Sequence, residues 1–330
     1  MVAMGVFPAI YSTLSPQALI EGVLTKYELG AINRCLFWNR GLSDIYLIET
    51  DTKPYILKVS HHHWRCQSDI QFELEFLDFL HQHSLPVANP LKTQAGQLFV
   101  TIRAVEGDRY AALFPYAPGE VPQGDLSTDQ STIMGQTLGL LHQTSLKFRN
   151  TTPRQALNLE YLLDDSLIVI SPYLRNRSQD MAYVVNTISK IKQELICLEQ
   201  TSPLWSVCWG DPHSGNVHFT AENQITLFDF DQCGYGWRIF DLAKFLQVSL
   251  RAGISRKVRD AFFQGYQKIQ QLTDAETSSL QALTQMAHIW AWAISINAST
   301  IHNWSKLDTF YVSKHLNQLK KLGSEEWQLF

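Results

Sequence analysis

The rhythm of apolar and polar positions changes along this chain and divides it into a β-rich half and a helical half. Near the start, Ser15-Pro16 predicts a helix opening with proline at its first position and running to about Leu29. From Ala31 onward the texture is short and β-rich. The runs INRCLFW, DIYLIE and PYILKVS are separated by NRGLS and TDTK, which predicts an antiparallel meander. Ser68-x-x-Gln71 reads as a capping box for a helix to about His83, ended by Pro86 and Pro90. GQLFVTIRAV, EGD and RYAALFPY then predict a hairpin, and APGEVPQGD a linker between domains.

Beyond Asp125 the period becomes helical. Ile133, Met134, Leu138 and Leu141 share one helix face. Further helices are expected near 155–164, 178–200, 238–252, 255–271, 274–303 and 308–322. Two short β-like runs, NVHFT and ITLFDF, interrupt this half. The expected fold class is α+β, a protein-kinase-like two-lobe fold. A small antiparallel β N-lobe with a leading helix, residues 1–117, would bind nucleotide. A large, mainly α-helical C-lobe, residues 118–330, would carry catalysis and the substrate.

Composition narrows this only slightly. The 330 residues are 45% hydrophobic and 18% charged, with a net charge of −4, as in an ordinary globular protein and not a dedicated nucleic-acid binder. The first basic residue is Lys26, so the start lacks the basic region of a secretory leader. The longest strongly apolar stretch, IWAWAISI, is too short to span a bilayer. No membrane association and a cytoplasmic location are expected. The cysteines at 35, 66, 197, 208 and 233 form no C-x-x-C pair and read as scattered buried thiols.

Candidate chemistry concentrates in WGDPHSGNVHFTAENQITLFDFD, residues 209–231. Asp211 and Asn216 stand at D-x-x-x-x-N, the spacing of a kinase catalytic loop, which aims a base at the acceptor and an amide at a metal. Asp229 opens DFD after ITLF, at the place of a second metal ligand, and hard oxygen donors of this kind suit Mg²⁺. Lys58 lies in an apolar strand, a costly place for an ammonium without a partner. Glu73 shares a helix stripe with Phe76, Leu77 and Leu80, whereas Glu75 is followed by Asp78, Phe79 and Gln82, so Glu73 is the expected partner. The turn Gly41-Leu42-Ser43 is placed to cover phosphates, although a hairpin turn alone explains it equally well. The histidines at 61–63 read as an exposed loop, since adjacent histidines lack the spacing of a metal site. Trp290, Trp292 and Trp304 read as core.

These residues resemble the aminoglycoside phosphotransferase family, with its choline kinase and homoserine kinase relatives. The resemblance rests on WGDPHSGN, LFDFD and FDLAKF, with LGLLH at 138–142, and covers roughly residues 15–300. It implies ATP as phosphate donor, Asp211 as catalytic base, Asn216 and Asp229 as Mg²⁺ ligands, and Lys58 on the α and β phosphates. It implies that Asp241 braces the catalytic loop, that His213 supports its geometry, that Asp231 is an accessory carboxylate, and that the backbone at Phe114, Pro115 and Tyr116 holds adenine. The chain departs from the family pattern in having Trp209 where histidine is usual and Asp44 where asparagine is common. The acceptor expected first is a hydroxyl of a small metabolite. From Trp237 onward there are eleven Lys and Arg against seven Asp and Glu, a poor cradle for a polycationic aminoglycoside. A protein Ser/Thr acceptor, as for the bacterial stress-response kinases, and a nucleotide-binding pseudoenzyme are the alternatives.

Overall fold

The computed structural model of the protein describes residues 8–302 and 306–329. The chain divides into two compact units: residues 1–78 with 88–117, and residues 79–87 with 118–330.

The first unit is a five-stranded antiparallel sheet in the order β1-β2-β3-β5-β4. The strands are β1 (Ile32–Arg40), β2 (Ser43–Thr50), β3 (Tyr55–Ser60), β4 (Val100–Ala104) and β5 (Gly107–Pro115). Alternation along the strands sets its two faces. Tyr46, Ile48, Tyr55, Leu57, Val59, Ala111 and Leu113 join Leu19, Val23 and Leu24 in one buried cluster. α1 (Pro16–Gly22) thus packs on this sheet, but it stops seven residues short of Leu29 and continues as a tight turn over Leu24–Lys26. Ser15 makes no side-chain cap bond.

α2 (Gln67–Gln82) begins earlier than the Ser68–Gln71 capping box predicts. Instead, the Cys66 backbone N–H donates to Asp69 Oδ2 at 3.2 Å, and the Cys66 thiol donates to the same oxygen. A carboxylate three positions in meets the exposed amide of the residue before the helix more strongly than a neutral amide would.

The second unit is mainly helical. α3 (Thr128–Ser145) opens with a reciprocal box between Ser127 and Gln130. The helix expected at 155–164 lies later, because Leu157 is held in a bridge to Gly236, its N–H donating to the Tyr235 carbonyl at 2.7 Å. A wide turn over Glu160–Asp164 runs into α4 (Asp165–Ile170) and then Ser171–Leu174. α5 (Ser178–Leu195) follows, then two small ribbons: β6 (Trp205–Cys208) pairs with β9 (Gly234–Trp237), and β7 (Val217–Phe219) with β8 (Ile225–Leu227). β6 and β9 carry no clear alternation, and the sequence pattern does not reveal them.

α6 (Arg238–Ala252) is buried along almost its whole length. α7 (Arg256–Gln267) packs against α3, where the Ser131 hydroxyl donates to the Val258 carbonyl at 2.7 Å, and Phe262 stacks on Phe245 of α6. A break at Ser279 separates α8 (Asp274–Ser278) from α9 (Leu280–His302), where one helix was expected. α10 (Thr309–Leu322) is the last long helix, and a short turn over Trp327–Leu329 follows it. Trp290 and Trp292 are core residues of α9; Trp304 lies outside the described residues. No described helix is long and apolar enough to cross a membrane. Cys35, Cys208 and Cys233 are buried, but Cys66 and Cys197 are exposed, contrary to the expectation of buried thiols throughout.

Candidate active site

In the first unit, alternation turns Lys58 away from the face occupied by Leu57 and Val59. Its Nζ lies 3.0 Å from Glu73 Oε1 on α2. Glu73 sits among buried Phe76, Leu77 and Leu80, as its helical spacing requires, whereas half-buried Glu75 accepts from the Gln71 amide. Gly41 and Ser43 form a tight turn between β1 and β2, with the Gly41 N–H donating to the Ser43 carbonyl at 3.0 Å. Phe114 and Pro115 end β5, and the Tyr116 N–H donates to the Pro54 carbonyl.

Asp44, just past that turn, is fully buried. Burial alone would raise its pKa. Hydrogen bonds from His61, Arg109 and Tyr11 outweigh it and hold the carboxyl well below its usual range. Arg109 Nη2 lies 2.8 Å from Asp44 Oδ2, and its other nitrogens donate to the Ser60 and Ser12 carbonyls. His61 is therefore not part of an exposed loop. It leaves β3 on the buried side at 3.4 Å from Asp44, while His62 and His63 are exposed.

In the second unit, the chain leaves β6 at Cys208 and turns sharply. Gly210 takes φ +87°, and a Cβ there would run into the Gln232 backbone, so glycine serves here both for conformation and for space. Asp241, on the first turn of α6 and fully buried, holds the turn from below. Its Oδ2 accepts from the Trp209 N–H at 2.7 Å and its Oδ1 from the Gly210 N–H at 2.8 Å. His142 of α3 is 2.9 Å from the same carboxylate through Nε2 and 2.9 Å from the Tyr266 hydroxyl through Nδ1. His142, Cys208 and Asp241 cluster closely enough to suggest a metal. Their polar atoms are instead committed: Asp241 to the loop backbone and His142, His142 also to Tyr266, and the Cys208 thiol to the Trp237 carbonyl, which makes the cluster a brace.

The brace presents Asp211. Its Oδ1 lies 3.3 Å from Lys244 Nζ, its Oδ2 accepts from Gln232 Nε2 at 3.1 Å, and His213 Nε2 stands 3.6 Å away. Burial would raise the Asp211 pKa, but the Lys244 ammonium, helped by His213, holds it well below the ordinary carboxylate range. His213 also accepts from the Gly215 N–H at 3.0 Å through Nδ1. Sequence reasoning missed Lys244 and Gln232. The one available signal for the lysine was its place in FDLAKF, a cation in a helix segment whose other residues, Asp241 apart, are apolar.

The Asn216 side chain donates to the Asp211 carbonyl at 3.1 Å, which leaves its amide oxygen as an acceptor. The Phe228 N–H donates to the Asn216 carbonyl at 3.1 Å and ties the loop to the segment that carries Asp229. Asp229 itself is exposed and has φ 57°, a left-handed conformation uncommon for residues other than glycine. Asp231 is buried, and its carbonyl accepts from Arg154. One amide oxygen and one exposed carboxylate are a hard-oxygen donor set, and they fit Mg²⁺.

Trp209, the departure noted in the sequence, is held by stacking and by one polar contact. The indole is fully buried, stacks on Phe230 and donates through Nε1 to the Asp229 carbonyl at 3.1 Å. Trp209→Phe should keep the stacking and remove the indole's bond to that carbonyl. Stability should fall by about 1–2 kcal/mol in denaturant unfolding, and kcat should fall roughly 10-fold as Asp229 loosens. Unchanged values for both would show that the indole contributes packing alone.

A model of the phosphotransferase enzyme family matches residues 37–282. An uncharacterized protein of Synechocystis sp. (strain ATCC 27184 / PCC 6803 / Kazusa) is 51% identical over 329 residues, covering 100% of this chain and 91% of its own length. Among solved structures, the amicoumacin kinase hAmiN in complex with AMP-PNP, Ca²⁺ and Ami aligns with a TM-score of 0.76 at 20% identity, over 93% of each chain. A microcompartment-associated aminopropanol kinase aligns with a TM-score of 0.75 at 18% identity, over 92% of this chain and 97% of that one. These two likenesses are of fold.

Proposed function

The chain belongs to the phosphotransferase enzyme family, and from that premise we propose that it moves the γ-phosphate of ATP, with Mg²⁺, to a hydroxyl of a small molecule. Residues 1–117 serve as the nucleotide-binding lobe, and residues 118–330 carry the catalytic and acceptor groups. The observation that carries this reading is the Asp241-braced loop, which holds Asp211 and Asn216 together while Phe228 ties Asp229 to them. The kinases this chain resembles in fold are named for small acceptors, amicoumacin and aminopropanol, and the proposal takes that class.

In this reading Lys58, held by Glu73, contacts the α and β phosphates. The turn at Gly41 and Ser43 covers them, and the backbone at Phe114, Pro115 and Tyr116 receives adenine. Asn216 and Asp229 hold the cation, which would neutralise charge on the phosphates. The acceptor oxygen forms its bond to the γ-phosphorus. The bond from that phosphorus to the bridging oxygen breaks, and ADP leaves with the electron pair. The hydroxyl proton passes to Asp211 and then to solvent. A carboxylate so strongly held in its charged form is a weak base, so Asp211 acts mainly by orienting the hydroxyl and takes the proton late. His213 keeps the loop and the Asp211 carboxylate in register.

ATP turnover over a panel of hydroxyl metabolites, with a protein-acceptor control, tests the reading. Acceptor-dependent ADP release by the wild type and not by Asp211→Asn supports it; release only with the protein acceptor would overturn the small-molecule class. The Lys58–Glu73 pair gives a separate test. Each single alanine variant should lower kcat/KM, the lysine's more, since only it touches phosphate. The double variant should be much less than additive. Glu75→Ala should be nearly neutral. Additive losses would show that the two residues act apart.

A further inference from the structure

Lys244 is a buried cation whose hydrogen-bonding capacity is only partly used. An ammonium has three donors and no acceptor. Among the described residues Asp211 is its one charged partner, at 3.3 Å, and the Trp290 ring lies 5.5 Å from Nζ. The lysine side chain is 5% exposed and that of Asp211 17%, so a small molecule reaching the carboxylate meets the ammonium as well. Beside them Gln232 donates its amide to Asp211 Oδ2, while its own amide oxygen, buried, has no hydrogen-bond partner among the described residues. Donor capacity and an unmet acceptor thus flank the group that orients the acceptor hydroxyl. Both are costly to leave desolvated without partners.

Among the described residues no carboxylate other than Asp211 pairs with the lysine. Asp241 is committed to two backbone amides and His142, and Glu276 to Arg238. His288 of α9 is kept neutral by burial, with Arg251 and Lys244 adding to the effect. The Asp211 oxygens are already taken by Lys244, Gln232 and His213, whereas the ammonium keeps donors to spare. An anionic oxygen can take those donors, and a second ammonium cannot.

We infer that the acceptor carries an anionic group, carboxylate or phosphate, close to the hydroxyl that is phosphorylated, and that Lys244 selects it. The anion takes the ammonium's remaining donors, and a hydroxyl of the same molecule donates to the Gln232 amide oxygen. This rests on the phosphotransferase reading of the same site and narrows its substrate class.

A matched series tests it: glycerate, glycerol 3-phosphate, glycerol and 3-amino-1,2-propanediol, which share a skeleton and differ in one end group. The readout is ADP release, as kcat/KM, with wild type, Lys244→Met and Lys244→Arg. In the wild type the anionic members should exceed the amine by roughly 10²-fold, and the better of the two identifies the anion. Lys244→Met should erase that preference, and Lys244→Arg, which keeps the charge, should retain its order. Equal rates across the four, a preference for the amine, or the same fold-loss for every member in Lys244→Met would overturn the inference. Should Lys244→Met not fold, the wild-type ranking and Lys244→Arg decide it. Slow transfer to water, and its loss in Asp229→Ala, report on phosphotransfer itself. That signal can stand while the ranking fails, and its absence would remove the reading beneath.

Discussion

Asp229→Ala is expected to abolish turnover, with a loss of about 10³-fold or more in kcat. Asp229 is an exposed carboxylate on a backbone held by the Trp209 indole and, through Phe228, by Asn216. In the proposed site, loss of the carboxylate would leave Asn216 as the protein's one oxygen donor to Mg²⁺, and charge building on the phosphates would be less compensated. The φ of 57° complicates the alanine variant, because a side chain without polar atoms is strained there. Asp229→Asn separates the two effects. Asparagine tolerates the left-handed backbone and keeps one oxygen, yet it removes the charge, so it too should lose most activity while unfolding like the wild type. Calorimetry completes the test: ATP should bind the wild type more tightly with Mg²⁺ than with EDTA, and Asp229→Ala should lose that difference. Equal ATP affinity in both media, together with an active alanine variant, would remove Asp229 from the metal site.

Asp211→Asn should lower kcat by roughly 10²-fold or more and leave ATP affinity nearly intact, because in the proposed mechanism the lost contact is to the acceptor hydroxyl in the transition state. An asparagine in that place also turns an acceptor into a mixed donor and acceptor beside the Lys244 ammonium, so orientation as well as charge is lost. Turnover equal to wild type would remove Asp211 from the reaction. The pH dependence follows from the same contacts. The folded-state pKa of Asp211 is depressed, so the carboxylate stays charged through neutral pH and its stabilising contacts are lost only as pH falls below the ordinary carboxylate range. The kcat profile of the wild type should accordingly show no acid limb from Asp211 between pH 5 and 7. In Lys244→Met burial remains while the main counter-charge goes, so the carboxyl pKa rises and an acid limb should move up toward that range. His213 and Gln232 still face the carboxylate in that variant and limit the shift.

The features legible in the sequence are those whose partners lie close along the chain or repeat with a period. The meander β1–β3 and the β4–β5 hairpin follow from two-residue alternation between turn residues. The spacing of Asp211 and Asn216 is legible because one short loop makes their geometry, and the structure joins them by a side-chain bond five residues long in sequence. Choosing Glu73 over Glu75 as the neighbour of Lys58 needed only the rotation of α2 per residue. Helix starts were less legible. Ser68-x-x-Gln71 and Cys66 with Asp69 are competing local patterns one or two residues apart, and the carboxylate's stronger bond to the backbone amide decides between them.

Tertiary structure alone decided the contacts between residues distant in sequence. Lys244 meets Asp211 from 33 positions away, and Gln232 from 21, because α6 and the segment after β8 are rotated by packing that no periodicity in either one specifies. Arg109 reaches Asp44 across 65 residues, and His61 leaves the apparent histidine loop for the same buried carboxylate. By itself the sequence determined the order of the lobes' elements, the family signature and the candidate chemical groups, since propensity, period and loop length act over a few residues. The charge environment of Asp211 was left to the folded chain, because a buried electrostatic field sums over groups that only long-range packing brings together.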